Sequence, residues 1–163
     1  MNSKRTQVFA LLAWLAVTFV AAAVGAGASI NAQSFYTQLV QPGWAPPGFV
    51  FGPVWTALYT LMGLAAWLVW REGGLKNIRA ALGLYLIQLV CNALWSWLFF
   101  VWNLGLLSFL EILSLLALIL ATTMSFWRIK PLAGALLMPY LLWVIFAAFL
   151  NYSLWRMNPQ VLG

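Results

Sequence analysis

Four tryptophans, Trp44, Trp55, Trp95 and Trp143, carry most of the chemistry that this sequence makes available. An indole presents a broad π-face and one N–H donor, which suits it to stacking on a flat apolar molecule while holding a single acceptor. Around Trp95, the residues Gln88, Asn92, Ser96 and Phe99 recur at spacings of three and four, so all five share one helix face. Amides are costly in hydrocarbon unless partnered, which turns this face toward other helices. Pro139, Trp143, Ala147 and Asn151 form a second such face, one residue every four. Acid–base and metal chemistry have little to work with. The chain holds no histidine and a single cysteine, Cys91, which removes the imidazole base, the cysteine metal cage and any internal disulfide. Glu111 is the one acid inside an apolar run. A carboxylate there costs about 3 kcal/mol or more, so Glu111 is expected to be protonated or paired with Arg156. A buried interhelical hydrogen bond ranks ahead of proton coupling as its role.

The elements that must position these residues are membrane helices. The 163 residues are 65% hydrophobic and 6% charged, with mean hydropathy +0.95. A soluble domain of that size could not bury so much apolar surface. At about 20 residues per span, the length allows roughly five. The reading is an all-α integral membrane protein, a bundle of five transmembrane helices at about 7–28, 50–70, 79–102, 105–127 and 132–155. Residues 1–163 form a single domain, with a lid loop at 29–49. Lys4, Arg5 and the run Ala26-Gly27-Ala28 imitate a signal peptide, but the apolar stretch from Val8 to Ile30 exceeds the usual core of about 7–15 residues, so an uncleaved first helix is expected. Phe35 to Tyr59 is free of charge and holds Pro42, Trp44, Pro46 and Pro47. Pro46-Pro47 favours extended backbone, and Pro53 opens the second helix in its first turn. Rings and prolines without charge suit a cover over an apolar pocket.

Charge sets the orientation. The formal net charge of +6 comes from residues at helix ends, with no basic run interleaved with exposed aromatics, so nucleic acid is not an expected partner. Lys4, Arg5, Arg71, Lys76, Arg79, Arg128 and Lys130 fall on one side and Arg156 alone on the other. This places the N-terminus in the cytoplasm and the first loop and C-terminus outside. Trp14, Trp67, Trp70, Trp102, Trp127 and Trp155 lie near helix ends, where interfacial indoles are ordinary, whereas Trp143 sits about halfway along its helix. Trp44, Trp55, Trp95 and Trp143, with Asn92 and Gln88, could line one cavity that opens outward beneath the loop.

The segments WAPPG, GPVWTALY, MPYLLW and LNYSLWRMN, with the Gln88–Asn92–Trp95 pattern, resemble the TspO/MBR family of tryptophan-rich sensory and translocator proteins over about residues 35–158. The resemblance implies five tightly packed helices, often a homodimer, and a pocket under the first loop. It implies porphyrins and related tetrapyrroles such as protoporphyrin IX as ligands, with sterols in some members and synthetic isoquinoline carboxamides and benzodiazepines. Residue by residue it implicates Tyr36, Trp44 and Pro46 in the lid, Trp55 on the second helix, Asn92 and Trp95 on the third, and Trp143 and Ala147 on the fifth. On this reading Asn92 donates to a ligand carbonyl or carboxylate, and Ala147 keeps its helix thin where a ring lies against it. Porphyrin is a ligand here and no cofactor is expected. Without histidine, haem iron would lack its commonest axial ligand, which favours a metal-free porphyrin. Many relatives carry an acid, a lysine and an aromatic pair where this chain reads Thr37, Gln41 and Gly43-Trp44, so a charge-pinned lid is not implied.

Leu150, Tyr152 and Arg156 also fit a pattern proposed for cholesterol contact, although interfacial anchoring of a helix end accounts for the same residues. Three roles remain open: porphyrin binding with a sensing or transport role, light- and oxygen-dependent porphyrin degradation assisted by Trp55 and Trp143, and a small proton-coupled transporter using Glu111. No acid–base or nucleophilic site is visible, so binding leads. The expected location is a bacterial inner membrane.

Overall fold

The structure, a computed structural model, describes residues 3–73 and 76–163, without the side chains of residues 76 and 77. Gly74 and Leu75, in the middle of the expected polar turn at 71–79, lie outside the described residues. Helix α1 (Lys4–Ala28) starts at Ser3, whose Oγ accepts the Thr6 N–H at 3.2 Å. It is followed by α2 (Ala32–Gln38), a single 3₁₀ turn (Gly48–Val50) and α3 (Phe51–Arg71). Helix α4 (Lys76–Ser96) runs on into a π-helical turn (Trp97–Val101), and α5 (Gly105–Ile129), α6 (Pro131–Met157) and α7 (Pro159–Leu162) complete the chain. Five of these helices (α1, α3, α4, α5 and α6) are long and apolar enough to cross a membrane, and no strand occurs among the described residues. The chain is a multi-pass membrane protein.

The long helices close a ring. Helix α1 packs on α3 and α4, α3 on α6, α6 on α5, and α5 on α4. Turn chemistry fixes the joints. Lys130 is extended ahead of Pro131, so one residue separates α5 from α6. Asn103 takes the left-handed backbone (φ 52°) that turns α4 into α5, a conformation asparagine tolerates better than most residues.

Two expectations are revised. The stretch 29–49 is not loop throughout, because α2 forms inside it. All of its prolines lie beyond Leu39, leaving the preceding segment free to coil and to bury Tyr36. The third span does not end as a regular helix either. Its last turn widens so that Trp102 N bonds Trp97 O at 3.0 Å, and Phe99 is buried beneath the lid.

Away from the lid the ring is solid. Met62, Val69, Tyr85, Phe126 and Leu137 are buried there, Tyr85 stacks on Phe126 at 5.8 Å, and its hydroxyl meets Thr18 Oγ1 at 2.6 Å. The lid end is hollow.

Candidate functional site

A cavity of about 550 Å³ lies inside the ring beneath the lid. Helix α1 contributes Ala22, Ala23 and Ala26, α3 contributes Trp55 and Tyr59, and α4 contributes Asn92 and Trp95. Trp143, Ala147 and Asn151 come from α6, while Ile112 and Leu115 of α5 complete the wall and Tyr36 of α2 covers it. The reason for the hollow is local: apart from Phe19, the α1 wall is made of small residues, Ala22, Ala23, Gly25 and Ala26, where the facing walls carry rings. Phe19, Ala23 and Ala26 of α1, with Gly52 and Thr56 of α3, line the cavity and are also exposed on the outside of the bundle. Between α1 and α3 the cavity therefore meets the surroundings.

The polar groups form a fixed frame. Tyr59 OH donates to Asn92 Oδ1, Asn92 Nδ2 donates to Tyr140 OH at 2.9 Å, and Tyr140 OH donates to Gln88 Oε1 at 2.7 Å. Trp95 Nε1 donates to Asn151 Oδ1 at 2.9 Å, which ties α4 to α6. Asn92 therefore has its carbonyl and one N–H committed to tyrosines, and only its second N–H remains for a guest. This narrows the donor role expected for it. Three further buried donors of the frame and the wall, Gln88 Nε2, Trp143 Nε1 and Asn151 Nδ2, have no hydrogen-bond partner among the described residues.

Of the sequence-derived candidates, Tyr36, Trp55, Asn92, Trp95, Trp143 and Ala147 come together on this one cavity. Trp44 and Pro46 do not line it. Trp44 is half exposed and packs its ring on Phe146 at 5.8 Å, and Phe146 in turn meets Trp143 at 5.4 Å. The position of Trp44 on the lid's outer side follows from the prolines around it, which keep the backbone extended over the helix ends. Pro46 acts through its carbonyl, which accepts from Tyr36 OH at 3.0 Å. Burial pushes the Tyr36 phenol above its ordinary range, so it is a neutral donor at pH 7. Gln41 Nε2 donates to Tyr36 O, a neutral contact within the lid.

Leu150, Tyr152 and Arg156 do not form one surface. Leu150 is buried and lines the cavity, whereas Tyr152 faces outward against Phe109 at 5.2 Å and the Arg156 guanidinium lies 5.9 Å from the Trp155 ring centre. Positions 150 and 152 lie about 200° apart on a helix, so a sterol could not touch both. The expected pairing of Glu111 with Arg156 is also absent. Both Glu111 oxygens are buried without a hydrogen-bond partner among the described residues, and Glu111 does not line the cavity. The ion pair among the described residues is Lys130–Glu72 at 2.9 Å, at the opposite end of the bundle.

Sequence reasoning missed Asn151, Tyr59 and Tyr140 as parts of the site. Asn151 was legible in the every-four series with Trp143 and Ala147, and Tyr59 lies one turn beyond Trp55. Tyr140 follows Pro139, and nothing in its spacing marks it as the centre of the frame.

A model of the TspO/MBR family matches residues 10–156. The tryptophan-rich protein TspO of Chlorobaculum tepidum is 40% identical over 126 residues, covering 77% of this chain and 80% of that protein. The translocator protein of Homo sapiens is 40% identical over 126 residues, covering 76% and 75%. Protein CrtK of Rhodobacter capsulatus is 38% identical over 154 residues, covering 91% and 94%.

Proposed function

This chain belongs to the TspO/MBR family, and on that premise we propose that it is a membrane receptor that binds porphyrins and related flat apolar ligands in the cavity beneath its lid, with a sensing or transport role downstream. One observation carries the reading: Trp55, Trp95 and Trp143, from three different helices, stand on the wall of one cavity of about 550 Å³. That volume falls within the range of about 300–1,000 Å³ typical of small-molecule sites. Indole faces stack on a macrocycle for about 0.5–1.5 kcal/mol each beyond simple burial. A metal-free tetrapyrrole such as protoporphyrin IX is favoured, since the chain has no histidine, the commonest axial ligand of haem iron. Its polar edge would find the spare Asn92 N–H, with Trp143 Nε1 and Asn151 Nδ2 within the same wall. Apolar ligands partition into the bilayer, and the gap between α1 and α3 is the route by which they reach the site.

The proposal includes a bacterial inner membrane location, with the cationic helix ends in the cytoplasm and the lid outside. It also includes a homodimer, on the resemblance to the family. A sterol, where present, sits at Tyr152 and Arg156 on the outer surface rather than in the cavity.

The test is a protoporphyrin IX titration of the purified protein followed by indole fluorescence, wild type against Ala147→Phe. Wild type is expected to saturate at one ligand per chain. A phenylalanine ring placed in the cavity should weaken binding by about 100-fold while leaving the melting temperature in place. Equal affinities would remove the cavity from the proposal.

A further inference from the structure

Asn158 ends α6 and begins α7, and every polar group it owns is engaged. Its backbone N–H donates to Leu154 O at 3.0 Å, and its backbone carbonyl accepts the Leu162 N–H at 2.9 Å. Its side chain reaches the lid. Oδ1 accepts the Val40 N–H at 2.7 Å, while Nδ2 donates to Val40 O at 2.9 Å and to Leu154 O at 2.8 Å. The residue is buried, so water does not compete for these bonds. Pairing with both backbone groups of one residue requires an acceptor and a donor side by side, which a primary amide supplies and a carboxylate does not.

The surroundings brace this contact. Leu39, beside Val40, is buried in one cluster with Tyr36, Leu150, Leu154 and Leu162, so lid, α6 and α7 share a small core of their own. Gly105 at the start of α5 makes room for it, because a Cβ there would collide with the Trp155 ring and the Leu162 carbonyl. Tyr36 is the lid ring that faces the cavity, and Gln41, next to Val40, bonds back to its carbonyl.

We propose that Asn158 is a positioning residue for the ligand site: it fastens the lid at Val40, thereby holding Tyr36 over the cavity and setting how long a bound ligand stays. Only the final step rests on the reading of the cavity as a porphyrin site. The fastening itself is a property of the protein alone. Asn158→Ala removes both lid bonds. Asn158→Asp keeps an acceptor for Val40 N–H but turns a carboxylate oxygen toward two carbonyls. Asn158→Gln carries the same groups one methylene further out and should restore part of the effect.

Two readouts on the full chain in lipid nanodiscs separate these levels. The first is hydrogen exchange across residues 32–47 without ligand. Asn158→Ala and Asn158→Asp should exchange about tenfold faster around Val40, with the spanning helices protected as in wild type. The second is protoporphyrin IX dissociation by stopped flow, expected about tenfold faster in both variants with association altered by no more than about twofold. Unchanged lid exchange would overturn the fastening. Faster lid exchange with unchanged porphyrin dissociation would overturn the positioning role, as would exchange that rises uniformly along the chain. If wild type binds no porphyrin, the ligand reading fails, and lid exchange still decides whether Asn158 fastens the loop.

Discussion

The packed half of this bundle and the wall of its cavity use the same residue types and reach opposite results. Away from the lid, Gly63 and Gly134 mark places where helices touch. A Cβ at Gly63 would sit 2.8 Å from Leu15 Cδ2 of α1, and one at Gly134 would sit 2.8 Å from the Trp127 backbone of α5. On the cavity wall, Ala23, Ala26 and Ala147 border open space, and a Cβ at Gly52 would meet nothing within 4 Å, although Gly105 at the same end is packed against Trp155. Rings stack at both ends: Tyr85 lies on Phe126 at 5.8 Å away from the lid, and Trp95 lies on Phe99 at 5.3 Å on the cavity wall, where Trp55 and Trp143 also stand. A small side chain therefore signals closeness or vacancy only in combination with the position of the facing helix. The difference between a core and a pocket here is which helices are drawn together, and the Tyr59–Asn92–Tyr140–Gln88 frame lies at the boundary.

The sharpest way to break this contrast is to enlarge a small residue at each end. Gly134→Leu should lose the folded protein, since overpacking against the Trp127 backbone costs about 3 kcal/mol or more, and a normal yield of monodisperse protein would refute the tight contact. The frame comes next. Tyr140→Phe deprives Gln88 Oε1 of its donor and Asn92 Nδ2 of its acceptor, which should cost about 1–3 kcal/mol and show as a lowered melting temperature. Trp55→Phe combined with Trp143→Phe belongs to the hollow end and should leave melting alone while weakening porphyrin binding about tenfold by titration. Gly52→Leu should be milder still, slowing porphyrin association about threefold in lipid nanodiscs by narrowing the α1–α3 gap, with equilibrium affinity nearly kept. Glu111→Gln should not change porphyrin affinity at all, because Glu111 lies outside the cavity wall, and a large loss would place it in the site.

Much of this architecture could be read from the chain. Five apolar runs of the right length gave five helices within a few residues, because hydrocarbon thickness leaves little choice. The every-four series Pro139, Trp143, Ala147, Asn151 and the polar face of α4 brought four candidates, Asn92, Trp95, Trp143 and Ala147, to one cavity. What escaped the reading depends on distant partners. Composition marked 29–49 as loop, yet α2 forms there because Tyr36 and Leu39 find a buried cluster with Leu154 and Leu162. Trp44 looked equivalent to the other indoles, but only tertiary packing decides that it covers Phe146 rather than facing the cavity. Asn92 looked like a free donor until two tyrosines from other helices claimed most of its amide.

The joint between α5 and α6 is a single residue, Lys130, while α1 is linked to the 3₁₀ turn ahead of α3 by the whole stretch from Ser29 to Pro47. The first connection has no slack, and the second, though longer, is held at α2 and at Val40, so that only Ser29–Asn31 join α1 to the fastened lid. A guest wider than the cavity would be accommodated by α1 swinging about that three-residue link, with the α5–α6 hairpin as the fixed jaw. Since α1 carries Lys4 and Arg5 at its far end, such a swing would act as a lever, moving two positive charges on the membrane face opposite the guest.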